Sequence, residues 1–176
     1  LYYNQKGKGG DFVSSDTAIP ILLVLAVISF GMIFGEHNNQ ESLEYINSEF
    51  GFTFELPSTW QGYGVLETVW EGHGVGGELQ GKIVETGPKI LLRHPLWTAE
   101  VPRQDIPIMI FTLEQWESMQ QGKFHIGAAP IGPSMLGLNN RYVFALPARY
   151  NFAFPVGYEE VEQILAADPL HPFETH

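Results

Sequence analysis

Phe50-Gly51-Phe52-Thr53-Phe54-Glu55-Leu56 is where the chain first declares its period. Phe50, Phe52, Phe54 and Leu56 alternate with Gly51, Thr53 and Glu55, so an extended backbone carries apolar side chains on one side and polar or small ones on the other. Successive strand side chains point to opposite faces, and a strand packed on one face only shows this alternation.

Downstream, the same reading continues. Residues 63–71 (YGVLETVWE) form a second strand candidate and residues 78–86 (ELQGKIVET) a third, with the glycine-rich run 72–77 (GHGVGG) between them as a hairpin turn. Residues 89–93 (KILLR), 106–111 (IPIMIF) and 141–146 (RYVFAL) are further short strands. Pro107 has no N–H to donate, which places the start of its strand at an edge or a bulge. Two helices are expected. Thr112 and Gln115 have the spacing of a capping box ahead of residues 113–121. Tyr158, Val161, Ile164 and Leu165 share one helical face, Glu159, Glu160 and Glu162 occupy the others, and Asp168-Pro169 ends the helix. Residues 127–138 (GAAPIGPSMLGL) fit neither period and read as a loop, and residues 168–176 read as a tail. Neither an internal repeat nor a low-complexity segment is visible. The sum is an α+β domain, an antiparallel sheet flanked by a few helices, over residues 43–167.

Upstream the character changes. Residues 18–35 (AIPILLVLAVISFGMIFG) hold eighteen residues without a charge, roughly 27 Å of helix at about 1.5 Å per residue, close to a hydrocarbon core of about 30 Å. The apolar character runs all the way round, Asp16 and Thr17 suit a helix cap, and Pro20 falls in the first turn. The expectation is one N-terminal transmembrane helix, with residues 1–17 cytoplasmic and residues 36–42 (EHNNQES) a polar tether. Lys6 and Lys8 precede the span, whereas Glu36, Glu41, Glu44 and Glu49 follow it and the next base is Lys82, so the N-terminus stays inside and the domain lies outside. The alternative is a cleaved signal peptide with its apolar core at residues 19–28 and Ser29 and Gly31 at the cleavage site, releasing a secreted domain. Cleavage there would leave Met32, Ile33 and Phe34 as an apolar stub, which favours the anchor. The chain opens on Leu1 rather than Met, as a fragment or a processed form does.

Composition narrows the function classes. Cysteine is absent, which removes disulfides, thiolate metal sites and a cysteine nucleophile. The 13% aromatic content supplies enough buried area for a core without staples. Residues 36–176 hold eighteen acidic and seven basic residues, so the net charge of −11 belongs to that segment. Such a surface repels nucleic acid, which is not an expected partner, and an anionic lipid surface; it suits a basic partner or a divalent cation, although no D-x-D-x-D-G calcium loop is present.

The run Phe50-Gly51-Phe52-Thr53-Phe54 followed by Pro57 and Trp60 resembles the opening of the PsbP/Mog1-like superfamily, an apolar strand and then Pro-x-x-Trp. The run Gly157-Tyr158-Glu159-Glu160-Val161-Glu162-Gln163-Ile164-Leu165 resembles the closing helix of small secreted or membrane-anchored bacterial relatives in that group. The likeness covers roughly residues 45–167, and residues 92–112 have no counterpart in it. It implies an antiparallel sheet flanked by helices in an accessory or binding module, and it carries over no metal ligand and no activity.

Candidate chemistry is sparse. Gly72, Gly74 and Gly77 satisfy G-x-G-x-x-G, but a dinucleotide site needs that pattern to open a helix in a βαβ unit, and strand-like residues follow it here. Ser134 misses the nucleophile-elbow pattern by one residue, with no strand leading into it. Trp60, Trp70, Trp97 and Trp116 fall on different elements and read as packing rather than as a stacking surface. His37, His73, His94, His125, His171 and His176 are scattered, without metal-ligand spacing. The densest polar and aromatic mixture is residues 93–105, where His94, Trp97, Arg103 and Asp105 are the candidate ligand-binding residues. There His94 would act as acid or base and Arg103 would hold a carboxylate, against the plainer reading of a solvated loop with an Arg–Asp pair. No catalytic, cofactor or metal residue is assigned. The 127–138 loop is the second place for a binding surface. The expected function is a single-pass, membrane-anchored protein held in the bilayer by residues 18–35. Its outer domain binds a protein or a small ligand without catalysis. The alternative is an enzyme or a metal- or ligand-dependent module with its site in the stretch from Arg93 to Asp105, and a structural spacer is a third possibility.

Overall fold

The computed structural model describes residues 42–127 and 131–175. The expected transmembrane helix and cytoplasmic segment lie outside those residues, and among the described residues no helix is long and apolar enough to cross a membrane. In chain order the elements are β1 (Leu43–Asn47), β2 (Phe52–Leu56), a 3-10 turn (Ser58–Trp60), β3 (Gly64–Gly74), a second 3-10 turn (Gly77–Leu79), β4 (Ile83–Arg93), β5 (Ile106–Thr112), α1 (Leu113–Gln120), β6 (Phe124–Ile126), β7 (Ser134–Leu138), β8 (Tyr142–Leu146), α2 (Tyr158–Ala166) and β9 (Leu170–Pro172). They build two antiparallel sheets, β1-β2-β9 and β6-β3-β4-β5-β8-β7, so the architecture is α+β as expected.

The two cores follow from strand periodicity. In β5, Ile106, Ile108 and Ile110 face one core while Met109 and Phe111 face the other, and all five are sealed from solvent. A strand covered on both faces reads as an unbroken apolar run, as IPIMIF does. The larger core lies between the large sheet, the small sheet and α2, and contains Phe52, Phe54, Leu56, Trp60, Phe144, Val161, Ile164 and Leu170. The smaller core, under α1, packs Trp70, Met109, Phe111, Met119, Phe124, Val143 and Ala145. Pro107 sits opposite Leu91 of β4, and β8 joins only from Met109 onward, so the missing N–H falls where the strand has a single neighbour.

The glycines of the 72–77 run are structural. Trp70 stacks on Phe111 at 4.4 Å between ring centres and lies parallel to Phe124 at 6.1 Å, and its indole N–H donates to the Ile110 carbonyl at 2.7 Å. A Cβ at Gly72 would come within 2.5 Å of the Phe124 ring, and one at Gly87 within 2.5 Å of the Trp70 ring. Within the run Gly72 makes room for the Phe124 ring, Gly74 lies against Leu79, and Gly76 and Gly77 take positive φ in the β3–β4 connection.

Several elements differ from expectation. β4 runs unbroken through Gly87-Pro88, because Gly87 is the place for the Trp70 ring and β5 pairs β4 only over residues 89–92. The segment expected to start that strand at Glu78 is a 3-10 turn as far as Leu79. The expected 127–138 loop contains edge strand β7, whose bulge between Met135 and Gly137 breaks the period, and Gly137 lies flat under Pro172. The expected tail contains β9, which pairs with β2 and buries Leu170; Asp168, at φ +50°, turns the chain back towards it. The capping box forms with both bonds, Gln115 N to Thr112 Oγ1 and Thr112 N to Gln115 Oε1, each 3.1 Å.

One buried side chain ties the two sheets together. The Asn139 amide donates to the carbonyls of Phe50 (2.8 Å), Gly51 (3.1 Å) and Phe173 (3.0 Å), and its oxygen accepts from the N–H groups of Arg141 and Tyr142 at 2.9 Å. Leaving a buried polar group unpaired costs about 1–3 kcal/mol. Asn139→Ala is therefore expected to destabilise the domain by about 3 kcal/mol in chemical denaturation, while Asn140→Ala, on the exposed neighbour, changes it by less than about 0.5 kcal/mol.

Candidate functional site

The β4–β5 hairpin closes at the Leu92–Ile106 pair and carries a long loop, residues 94–105. Its neck is clamped by charge. Arg93 donates to Asp105 through Nε (3.0 Å) and a terminal nitrogen (2.7 Å), the two-pronged geometry a guanidinium makes best, and Trp97 lies over the guanidinium at 3.9 Å. Asp105 in turn raises the Arg93 pKa above its ordinary value. Two of the four candidate binding residues, Trp97 and Asp105, are thus engaged in closing the hairpin, and Arg93 rather than Arg103 is the partner of Asp105.

The other two turn elsewhere. His94 is only 4% exposed, packed edge-on against Trp60 with 5.0 Å between ring centres. Its Nδ1 accepts from the Leu96 N–H at 3.1 Å, which leaves the proton of the neutral ring on Nε2, facing Glu160 Oε2 at 3.9 Å. Arg103 reaches the same carboxylate oxygen at 3.8 Å. Its backbone bridges Val156, and Gly157, at φ +84°, lets the guanidinium lie close: a Cβ there would sit 3.2 Å from Arg103. The other Glu160 oxygen accepts from the Thr59 hydroxyl at 2.7 Å. The first turn of α2, where Glu160 sits, favours a negative side chain because the backbone N–H groups there point at it.

Glu160, on α2, is therefore where two other pieces of chain meet: the turn after β2, through the Thr59 hydrogen bond, and the β4–β5 loop, through the longer contacts of His94 and Arg103. Glu100 of the same loop is exposed and makes none of these contacts. Beside Glu160 opens a groove of about 380 Å³, rimmed by Glu55, Thr59, Glu160 and Gln163 and floored by Pro57, Ile164, Ala167 and Pro169. His171 of β9 stands 3.3 Å from Glu55 at its far side. The groove thus presents two carboxylates, a hydroxyl and an amide over an apolar floor, with Arg103 and His94 behind one of the carboxylates. Trp60 Nε1 and Arg103 Nε are buried without a hydrogen-bond partner among the described residues.

Of the sequence-predicted residues, His94 and Arg103 lie beside Glu160 but do not line the groove, and Glu160, Thr59 and Gln163, which do, were not among those predicted. The available signal was Glu160 in the first turn of a helix, ahead of an apolar face. Ser134, at the start of β7, makes none of the contacts around Glu160. Of the scattered histidines, His73 and His125 lie side by side on β3 and β6 at 5.8 Å, and among the described residues no three His, Asp or Glu side chains converge as metal ligands.

Burial holds the His94 pKa below its usual 6.5, the Arg103 charge pushes in the same direction, and Glu160 opposes them. The unfolded chain then binds this proton more readily than the folded one. Stability is complete above about pH 6.5 and is lost as pH falls from there towards the lower folded-state value. His94→Asn keeps an acceptor for the Leu96 N–H without a titrating group. The melting temperature of the wild type is expected to fall more steeply than that of His94→Asn between about pH 7.5 and 5.5. Compared with known proteins, the chain matches no family model, no curated protein and no solved structure.

Proposed function

We propose that this chain is a single-pass, membrane-anchored protein in which residues 18–35 span the bilayer, and that its outer domain is a binding or accessory module taking a small ligand in the Glu55–Glu160 groove. The observation that carries this reading is the groove itself. At about 380 Å³ it falls within the roughly 300–1,000 Å³ of small-molecule sites, and its apolar floor under a few polar groups is the usual lining of such sites. Two rim carboxylates on an acidic chain of net charge −11 favour a ligand bearing a protonated amine. The resemblance of residues 50–60 and 157–165 to the PsbP/Mog1-like superfamily, with its accessory and binding modules, supports the same reading.

One observation favours a second reading. His94 keeps a neutral imidazole with a fixed tautomer near a carboxylate and a guanidinium, which is the equipment of a general acid or base. In that case the domain turns a ligand over, and turnover is lost in His94→Ala.

The two readings separate in one experiment on the full chain in detergent micelles, screened by thermal shift against polyamines, amino sugars and basic amino acids. Binding to the folded state raises the melting temperature by mass action. At least one amine is expected to shift it, with Glu160→Gln weakening that amine by at least about tenfold, or 1.4 kcal/mol. An amine shift unchanged in Glu160→Gln, or none from any amine, contradicts the groove assignment. Consumption of the amine by wild type but not by His94→Ala selects the second reading.

A further inference from the structure

Five large apolar side chains stand in solvent on two loops joined to each other. Leu96 (67% exposed) and Val101 (53%) lie on the β4–β5 loop, and Phe152 (72%), Phe154 (67%) and Val156 (51%) lie between β8 and α2. The Gln104 N–H donates to the Val156 carbonyl at 2.9 Å, and the Gln104 amide donates to the Tyr150 carbonyl at 3.2 Å, so the loops form one rim. The backbone works to present the aromatics. Arg149 at φ +56° and Phe154 at φ +45° occupy the left-handed region, which costs a side chain with a bulky Cβ substituent. Exposed apolar side chains gathered on two joined loops mark a contact surface.

The position of the rim in the fold says what it contacts. β3 begins, β4 ends and β5 begins at this end of the large sheet, because Gly64 pairs with Arg93 and Leu92 with Ile106. The turn after β2 is at the same end, with Trp60 against His94 and Thr59 on Glu160. Leu43 pairs with Leu56 immediately before that turn, so the chain enters the domain at the end that carries the rim. Residues 36–42 allow at most about 25 Å of extended chain between a span ending at residue 35 and Leu43. Residues 147–157 contain Arg149 and no acid, and Arg149 lies 5.9 Å from the centre of the Phe152 ring, whereas the β4–β5 loop carries the exposed Glu100 between Leu96 and Val101. Exposed phenylalanines beside an arginine suit contact with a membrane–water interface. Another group of exposed apolar side chains, Val75, Leu79 and Ile83 at the β3–β4 hairpin tip, is at the opposite end of the eleven-residue strands, on the order of 30 Å away.

We infer that the Leu96–Val101 and Phe152–Val156 rim rests in the interface of the bilayer, orienting the domain on the membrane beyond what its tether imposes. This rests on the reading of residues 18–35 as a span.

The test uses the absence of cysteine. The full chain carrying Phe154→Cys or Leu79→Cys, each labelled with a nitrobenzoxadiazole dye, is inserted into phosphatidylcholine vesicles with and without lipid bearing a shallow doxyl quencher. Alkaline carbonate extraction is run alongside. The expected result is a chain that resists extraction, with the dye at position 154 quenched at least twofold more than the dye at position 79. Extraction by carbonate removes the span reading and this inference with it. Resistance with equal quenching at the two positions, or with more at position 79, overturns the rim alone. A dye at position 154 that is shielded from aqueous iodide but untouched by doxyl lipid also overturns it, in favour of a protein surface.

Discussion

Strand β5 is enclosed on both faces, and the rest of the domain is arranged around that requirement. Its three isoleucines need one apolar cover and Met109 and Phe111 need another. The small sheet and α2 supply the first cover, while α1, Trp70 and Phe124 supply the second. β4 pairs β5 over Ile106–Met109 and β8 pairs it over Met109–Thr112, and the Trp70 indole N–H serves the Ile110 carbonyl beyond the reach of β4. The aromatic slab of the smaller core then demands residues without side chains at Gly72 and Gly87. The larger core demands that β9 return across β2 after α2, which carries Glu160 to the end of the sheet where His94 and Arg103 emerge.

At that end the electrostatics centre on a single carboxylate. Glu160 holds a hydroxyl at hydrogen-bond distance and two nitrogens just beyond it, at 3.8 and 3.9 Å. Such longer contacts give orientation and charge balance more than bond energy, and the partly exposed carboxylate remains available to the groove. The Arg93–Asp105 pair does the opposite work: short and two-pronged, it closes a hairpin neck and leaves neither group free. One loop therefore contributes both a clamp and two neighbours of Glu160, and proximity in sequence does not distinguish them.

The parts of the fold that were legible are those whose side chains repeat. FGFTFEL, YGVLETVWE, IPIMIF and RYVFAL announced β2, β3, β5 and β8, and Thr112 with Gln115 announced the start of α1 through the two bonds that form there. The illegible parts lack a repeat long enough to read. β6 and β9 have three residues each, β7 carries a bulge at glycine, and Gly87-Pro88 hides the middle of β4 because the reason for the glycine, the Trp70 ring, lies on another strand. The site was half legible for the same reason. His94 and Arg103 stood out as polar residues in a mixed loop, but their partner Glu160 sits in a helix whose acidic face looks like ordinary solvation. Only the fold brings Glu160 to a turn that lies 101 residues earlier in the chain.

We propose that this domain stands outside a membrane crossed once by residues 18–35. A membrane-impermeant maleimide applied to intact cells expressing the otherwise cysteine-free chain tests it directly, with one cysteine at Glu78→Cys or at Lys8→Cys. The account predicts labelling at position 78 in intact cells and at position 8 only after lysis. Labelling at position 8 in intact cells, or protection of position 78 until lysis, would contradict it.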